Sequence, residues 1–176
     1  MILKTWPRGS EKLFAYRDYA IEDKDGQLLI AATSAWLILD KVNHRPQPSG
    51  FISNVPSFTE SRVRENDLKK LPAVENEKQN EFVKVLFSHL DMNKHVNYTR
   101  YIQWIMDSYP YEIHLSDRLK SLEINFLAEA GLDDGIAVQT QQIQGTETQF
   151  LHSLIRKQDK KEITRARLIW DKSANF

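Results

Sequence analysis

Cysteine is absent from this sequence of 176 residues. Without it the chain can form no disulfide framework, no thiolate metal site and no cysteine nucleophile. A hydrolytic reaction in this protein would therefore have to use water rather than a thiol as the attacking group.

An excess of charge of either sign is also lacking, since Lys and Arg total 24 and Asp and Glu total 24. The chain therefore lacks the global basic field that marks nucleic-acid-binding proteins, and we expect no nucleic acid among its partners. No apolar run approaches the roughly 18 residues of a membrane span, and the first residues do not have the form of a secretory signal. We expect a soluble, cytoplasmic protein that does not bind membranes.

Residues 90–104 carry the clearest chemical signal in the chain. Asp91, Asn93 and His95 stand at every second position, immediately before an amphipathic pattern. Alternate residues of an extended segment point to one side, so we expect these three side chains to converge. The N–H groups and the dipole at a helix N-terminus favour developing negative charge. The stretch is therefore a candidate site for chemistry on a polarised carbonyl.

The periodicity of apolar residues predicts one helix and several strands. From Tyr98 onward apolar residues recur at three- and four-residue steps up to Pro110, which predicts a helix over residues 97–108. Residues 6–9 predict a turn, and residues 23–26 predict a hairpin turn. Strands are predicted over residues 13–21, 27–39, 82–87, 122–130, 136–144, 148–157 and 162–170. Such an order predicts an α+β arrangement in which an antiparallel sheet curls around the helix.

An internal repeat indicates two related units. Residues 33–40 and 164–171 share Thr, Ala, Leu, Ile and Asp in register, which is typical of duplication. The second copy follows a strand, a helix and another strand, whereas little precedes the first copy. We expect a partial N-terminal unit of strands over residues 1–44, a linker over 45–80 with a short helix near 59–71, and a C-terminal unit over 81–176 that carries the catalytic motif.

The central motif resembles the acyl-(acyl carrier protein) thioesterase family of bacteria and plant plastids. The resemblance is carried by Asp91-x-Asn93-x-His95-Val96-Asn97 with Tyr101 and Trp104, and by residues 5–9, 33–40 and 129–131. It implies two fused hotdog units, each a long helix wrapped by an antiparallel sheet, with the first unit only partial here. The chain departs from the plant pattern at two positions: Tyr98 replaces a usual second Asn, and Ala130 replaces a Cys.

This resemblance implies hydrolysis of acyl-acyl carrier protein to free fatty acid and carrier protein, with no cofactor and no metal. It makes Glu129 the candidate general base that activates water. Asn93 and His95 would hold the thioester carbonyl, with Asp91 orienting them. The spacing of Asp91, His89 and His95 matches no standard metal site.

Other parts of the implied site concern the oxyanion and the partner. Backbone N–H groups near Val96 and Asn97, at the helix start, would stabilise the oxyanion. An acidic acyl carrier protein is the implied partner, and a local basic face could receive it. That face would comprise Arg156, Lys157, Lys160, Lys161, Arg165 and Arg167.

Simpler interpretations stay open for each residue. His95 could be satisfied by local hydrogen bonds, Asp91 and Asn93 could be turn residues, and Glu129 could be merely solvated. The aromatic residues Tyr101, Trp104 and Tyr109 fit a core better than an acyl pocket, and the basic residues fit a solvated hairpin. The alternative functions are an acyl-coenzyme A thioesterase and a non-catalytic acyl-binding or degenerate hotdog module.

The first unit leads to a prediction about association. Its strands carry a row of Phe14, Trp36 and Ile38, and the sequence predicts no helix ahead of them. An uncovered apolar row drives association. We therefore expect that this chain either self-associates through the strands of the first unit or is poorly soluble.

Overall fold

The computed structural model describes residues 1–40, 42–43, 45–49, 58, 68–75 and 79–172. The chain divides into two units, Met1–Lys69 and Lys70–Phe176. Most of the linker predicted over residues 45–80 lies outside the described residues, as does most of the helix predicted near residues 59–71. The predicted domain boundaries therefore stay predictions.

The first unit is a three-stranded antiparallel sheet in the order β1-β2-β3. Its strands are β1 Ile2–Glu11, β2 Phe14–Glu22 and β3 Leu28–Leu37. The hairpin turn predicted over residues 23–26 is confirmed: Asp23 N donates to Gln27 O at 3.0 Å, and Gly26 has the positive φ of 81° that such a turn needs.

Two expectations for the first unit are wrong. The turn predicted over residues 6–9 lies inside β1, where the register with β2 shifts between Pro7 and Gly9. A local bulge accommodates proline, which has no N–H to donate to the ladder. The expected apolar row is also divided: Phe14 pairs with Leu37, whereas Trp36 pairs with Ala15, so Phe14 and Trp36 face opposite sides of the sheet.

The second unit combines a five-stranded antiparallel sheet, in the order β4-β6-β7-β8-β5, with two α-helices and the 3₁₀-helix Phe87–His89. The elements are β4 Gln79–Lys84, α1 Tyr98–Asp107, α2 Tyr111–Ser116, β5 Arg118–Phe126, β6 Gly135–Gln142, β7 Gln149–Arg156 and β8 Lys161–Asp171. The helix predicted over residues 97–108 is confirmed, and the strands predicted over 136–144, 148–157 and 162–170 match β6, β7 and β8. The strand predicted over 82–87 overlaps β4 only up to Lys84, β5 begins before the predicted residue 122, and α2 was not predicted. The strand predicted to reach residue 130 instead ends at Phe126, because Leu127 N and Ala128 N both bond to Ile163 O, at 2.9 and 3.2 Å. Glu129 therefore lies beyond the sheet.

Helix α1 packs on one face of this sheet and forms the core of the second unit. Tyr101, Trp104 and Ile105 are buried against sheet residues such as Leu154 and Leu168. Each aliphatic side chain among them contributes about 1.5 to 3 kcal/mol by leaving water. The helix starts where its sequence caps it, since the Asn97 side chain accepts from Thr99 N. Tyr101, Trp104 and Tyr109 are therefore core residues, as their spacing favoured.

Part of the predicted linker lies against the other face of the sheet, at β5 and β8. Leu71 is buried, its N–H donates to Asn125 Oδ1 at 2.8 Å, and its carbonyl accepts from Arg165 Nη1 at 3.0 Å. Asn125 and Arg165 alternate with residues that face α1, so they project from the opposite side. Residues 70–75 thus belong to the second unit. Among the helices of the described residues, none is long and apolar enough to cross a membrane.

Candidate active site

The segment that carries Asp91, Asn93 and His95 is a tight turn and not an extended strand. Asp91 Oδ1 accepts from the N–H groups of Asn93 and His95, at 2.8 and 3.2 Å. Asp91 N donates to His95 O at 2.8 Å, and Lys94 takes a φ of 63°. The expectation that alternation would align the three side chains is wrong, because an aspartate side chain competes for nearby backbone donors. Asp91 instead holds the turn that presents Asn93 and His95.

Two backbone hydrogen bonds join this turn to the rest of the second unit. Val96 N donates to Ala130 O at 3.0 Å, and Asn97 N donates to His89 O at 2.9 Å. The N–H groups predicted to stabilise an oxyanion are therefore already engaged, and that assignment is wrong for this conformation. The Val96–Ala130 bond has another consequence: it places residue 95 directly beside residue 129.

His95 and Glu129 meet at the surface. His95 Nε2 lies 3.3 Å from Glu129 Oε2, and the two side chains are 48% and 64% exposed. They face an open depression of about 340 Å³. The depression is lined by His95, Ala128, Glu129, Ala130, Gly131, Arg156 and Lys161. Water can reach the carboxylate directly, as a general base that activates water requires.

The candidate residues are thus brought together only in part. His95 and Glu129, 34 positions apart in the chain, share one depression, whereas Asp91 and Asn93 are not among its lining residues. The side chain of Asn93 is exposed two residues before His95. No cluster of His, Asp and Glu able to hold a metal occurs among the described residues.

Tyr101 and Arg156 contact the main chain of the Glu129 segment. The sequence favoured the core for Tyr101 and offered Arg156 for a basic face, but it predicted no contact of either residue with Glu129. Ala130 N donates to the Tyr101 hydroxyl at 3.1 Å, and Arg156 Nη1 donates to Glu129 O at 2.8 Å. Burial raises the pKa of Tyr101 to about 12, and hydrogen bonds from Arg156 hold the pKa of Asp159 at about 2. The hydroxyl and the Arg156–Asp159 ion pair therefore keep their protonation states across the physiological range. No spacing rule links these positions, because folding alone brings them together.

Comparisons with known proteins give one consistent family. The model of the acyl-ACP thioesterase C-terminal domain matches residues 72–172, and that of the N-terminal domain matches residues 1–49. The oleoyl-acyl carrier protein thioesterase 1 (chloroplastic) of Arabidopsis thaliana is 27% identical over 97% of this chain and 54% of its own length. The palmitoyl-acyl carrier protein thioesterase (chloroplastic) of Cuphea hookeriana is 31% identical over 96% of this chain and 43% of its own. The chain thus spans about half the length of these curated relatives.

Solved structures show the same fold. The 12:0-ACP thioesterase from Umbellularia californica aligns with a TM-score of 0.80 and 21% identity, over 96% of this chain and 66% of that one. An acyl-ACP thioesterase from Bacteroides thetaiotaomicron aligns with a TM-score of 0.74 and 23% identity, over 96% and 68%. The predicted α+β hotdog class is confirmed. From the match of its family models, this chain belongs to the acyl-ACP thioesterase family.

Proposed function

We propose that this protein hydrolyses the thioester of an acyl-acyl carrier protein and releases free fatty acid and carrier protein. The observation that carries the proposal is the contact of His95 with Glu129, 3.3 Å apart in an open depression, in a chain of the acyl-ACP thioesterase family. A general base needs access to water and a partner that orients it, and this pair offers both.

The proposed reaction begins with the Glu129 carboxylate, which takes a proton from water. The water oxygen attacks the thioester carbon, and the tetrahedral intermediate then loses the carrier thiol as the C–S bond breaks. The proton that Glu129 takes from water passes to His95 Nε2, 3.3 Å from the carboxylate, and His95 passes a proton to the leaving sulfur, so that the carboxylate is regenerated. Because the chain has no cysteine, no cysteinyl acyl-enzyme can form.

The developing oxyanion needs a donor other than the engaged N–H groups of Val96 and Asn97. We assign this role to the side-chain amide of Asn93. Among the described residues, no hydrogen bond is recorded for that amide, so it is available to a substrate carbonyl. An amide can donate to this oxygen, whereas an aspartate in its place could not. Asp91 supports both Asn93 and His95 through the turn that it closes.

The carrier protein would dock on a smaller basic surface than the sequence predicted. Arg156, Arg165 and Arg167 are each paired with a carboxylate, of Asp159, Glu162 and Glu123 respectively. The Lys157 ammonium lies over the Phe82 ring, 3.8 Å from its centroid. Lys160 and Lys161 are exposed, and Lys161 lines the depression. We propose these two lysines as the contact for an acidic carrier protein.

We also propose that the protein self-associates and that it is located in the cytoplasm. The first unit exposes large apolar side chains on its strands, including Ile30 and Trp36, which are 58% and 51% exposed. Association through these strands would cover them. Sedimentation at several concentrations tests association, and fractionation of cells tests location.

One assay tests the proposed activity and separates its rivals. Acyl-acyl carrier protein and the matching acyl-coenzyme A are offered to the wild-type chain and to Glu129→Gln, and free fatty acid is measured. The proposal expects carrier-protein esters to be hydrolysed with the higher kcat/KM, and only by the wild-type chain. Faster hydrolysis of the coenzyme A ester would favour the alternative substrate class. Binding without turnover would indicate a non-catalytic acyl-binding module.

A further inference from the structure

The peptide group between Glu129 and Ala130 is held at both ends by side chains. Its carbonyl, on Glu129, accepts from Arg156 Nη1 at 2.8 Å, and its N–H, on Ala130, donates to the Tyr101 hydroxyl at 3.1 Å. We infer that Tyr101 and Arg156 are positioning residues that fix the direction of the Glu129 side chain toward His95. This inference rests on the proposed role of Glu129 as the base.

Tyr101 holds the peptide from the core. Its ring is 2% exposed and meets Trp104 edge to face with centroids 5.5 Å apart, so the hydroxyl has little freedom to move. Ala130 is also 2% exposed, so its N–H cannot turn to water for another acceptor. The Tyr101 hydroxyl oxygen therefore holds the N–H end of the Glu129–Ala130 peptide in place.

Arg156 holds the peptide from the surface. Its guanidinium is itself fixed by Asp159, with Nε to Oδ1 at 3.0 Å and Nη2 to Oδ2 at 2.6 Å. A two-point contact of this kind sets the orientation of the guanidinium plane as well as its position. The remaining nitrogen, Nη1, then points at Glu129 O.

The two contacts act together with the Val96–Ala130 bond. That bond fixes the next carbonyl along the chain and connects it to the residue after His95. With the peptide before Ala130 and the carbonyl after it both held, the main chain on the C-terminal side of the Glu129 Cα has little freedom to turn. The same set of hydrogen bonds therefore positions the segments that carry His95 and Glu129. Misplacement of a reacting group by about 1 Å can lower a rate by about 100-fold.

A hydroxyl deletion tests the inner contact. Tyr101→Phe keeps the ring and removes the acceptor of the Ala130 N–H. We expect kcat for thioester hydrolysis to fall by roughly 10-fold to 100-fold with KM little changed. Tyr98→Phe is the matched control, because it removes a hydroxyl one turn earlier on the same helix. A Tyr101→Phe variant with the kcat of the control would overturn the inference.

Repeating the Tyr101→Phe change in the Glu129→Gln variant separates a positioning role from a general effect on the fold. If Tyr101 acts through Glu129, Tyr101→Phe should cost less than about twofold once Glu129→Gln has removed the base. An equal cost in both backgrounds would show that the hydroxyl supports the fold and not the base, and would overturn the inference.

Arg156 provides an independent test from the exposed side. Arg156→Gln should lower kcat by a similar factor, and Arg156→Lys should recover part of the loss because it keeps the charge and one donor. The control is Arg165→Lys, which changes an arginine paired with Glu162 on the other face of the sheet. No difference in kcat between Arg156→Gln and wild type would contradict the inference.

A measurement without turnover completes the design. The Ala130 amide of Tyr101→Phe should exchange hydrogen with solvent about tenfold faster or more, while amides of β7 stay protected as in the wild type. If the wild-type chain hydrolyses no thioester but this amide responds as expected, the proposed function is wrong, whereas the inferred restraint of the Glu129–Ala130 peptide by Tyr101 is supported. If the amide of the variant exchanges at the wild-type rate, the inference that Tyr101 restrains this peptide is wrong, whatever the activity.

Discussion

Lowering the pH should destabilise the second unit through one buried histidine. His152 is 1% exposed, with Nε2 2.7 Å from the Tyr109 hydroxyl and Nδ1 3.1 Å from Thr140 Oγ1. Burial lowers the pKa of His152 from its ordinary 6.5 to about 3. The cause is the cost of placing a charge in the core, where neither neighbour carries a compensating negative charge.

The sign of the effect follows from proton binding. Below pH 6.5 the unfolded chain binds a proton on His152, whereas the folded protein does so only near pH 3. The unfolded state therefore holds more protons throughout this window, and stability falls as the pH falls. The contribution of His152 to the free energy of unfolding changes by about 1.4 kcal/mol per pH unit, which totals roughly 4 to 5 kcal/mol between pH 6.5 and about pH 3. Above pH 6.5 the contribution is constant.

Urea unfolding followed by tryptophan fluorescence measures this slope. A Trp6→Phe, Trp36→Phe background leaves Trp104 and Trp170, both buried in the second unit. In this background His152→Gln should flatten the decline of the unfolding free energy between pH 6 and about pH 4. His114→Gln removes an exposed histidine and should leave the decline unchanged. Parallel curves for His152→Gln and its parent would refute the assigned role.

Three further outcomes are expected from the site. His95→Ala and Asn93→Ala should each lower kcat on the order of 100-fold without loss of stability in urea, since they remove a proton-transfer group and an oxyanion donor. Asp91→Ala should lower kcat and make the turn around residues 91–95 more susceptible to protease, because two N–H groups lose their shared acceptor. Lys160→Glu with Lys161→Glu should raise KM for an acyl-carrier-protein ester more than for the coenzyme A ester, and the difference should shrink in high salt.

Periodicity predicted α1 and most strands of the second unit because burial governs them, whereas the short helix α2, which has no buried residue, was missed. Tyr101, Trp104 and Ile105 fall on one side of a 3.6-residue repeat, and the sheet buries that side. The Asn97 cap and the stop before Pro110 fixed the ends of α1. Periodicity could not predict how the strand after residue 122 ends, since that depends on two N–H groups sharing one carbonyl across the sheet.

The site was less predictable, because its geometry depends on hydrogen bonds. A period of two suggested that Asp91, Asn93 and His95 share one side, but the Asp91 carboxylate folds the segment into a turn. The nearness of His95 to Glu129 follows from the Val96–Ala130 bond, which no local pattern encodes. Resemblance to a family supplied Glu129 as a candidate.

The central claim is that Glu129 is the base that activates water for thioester hydrolysis. The most direct measurement is kcat for release of free fatty acid from an acyl-acyl carrier protein by the wild type and by Glu129→Gln, with equal urea stability verified for both. An amide cannot accept a proton from water, so we predict a fall in kcat on the order of 100-fold or more. A folded Glu129→Gln variant with the kcat of the wild type would contradict the account.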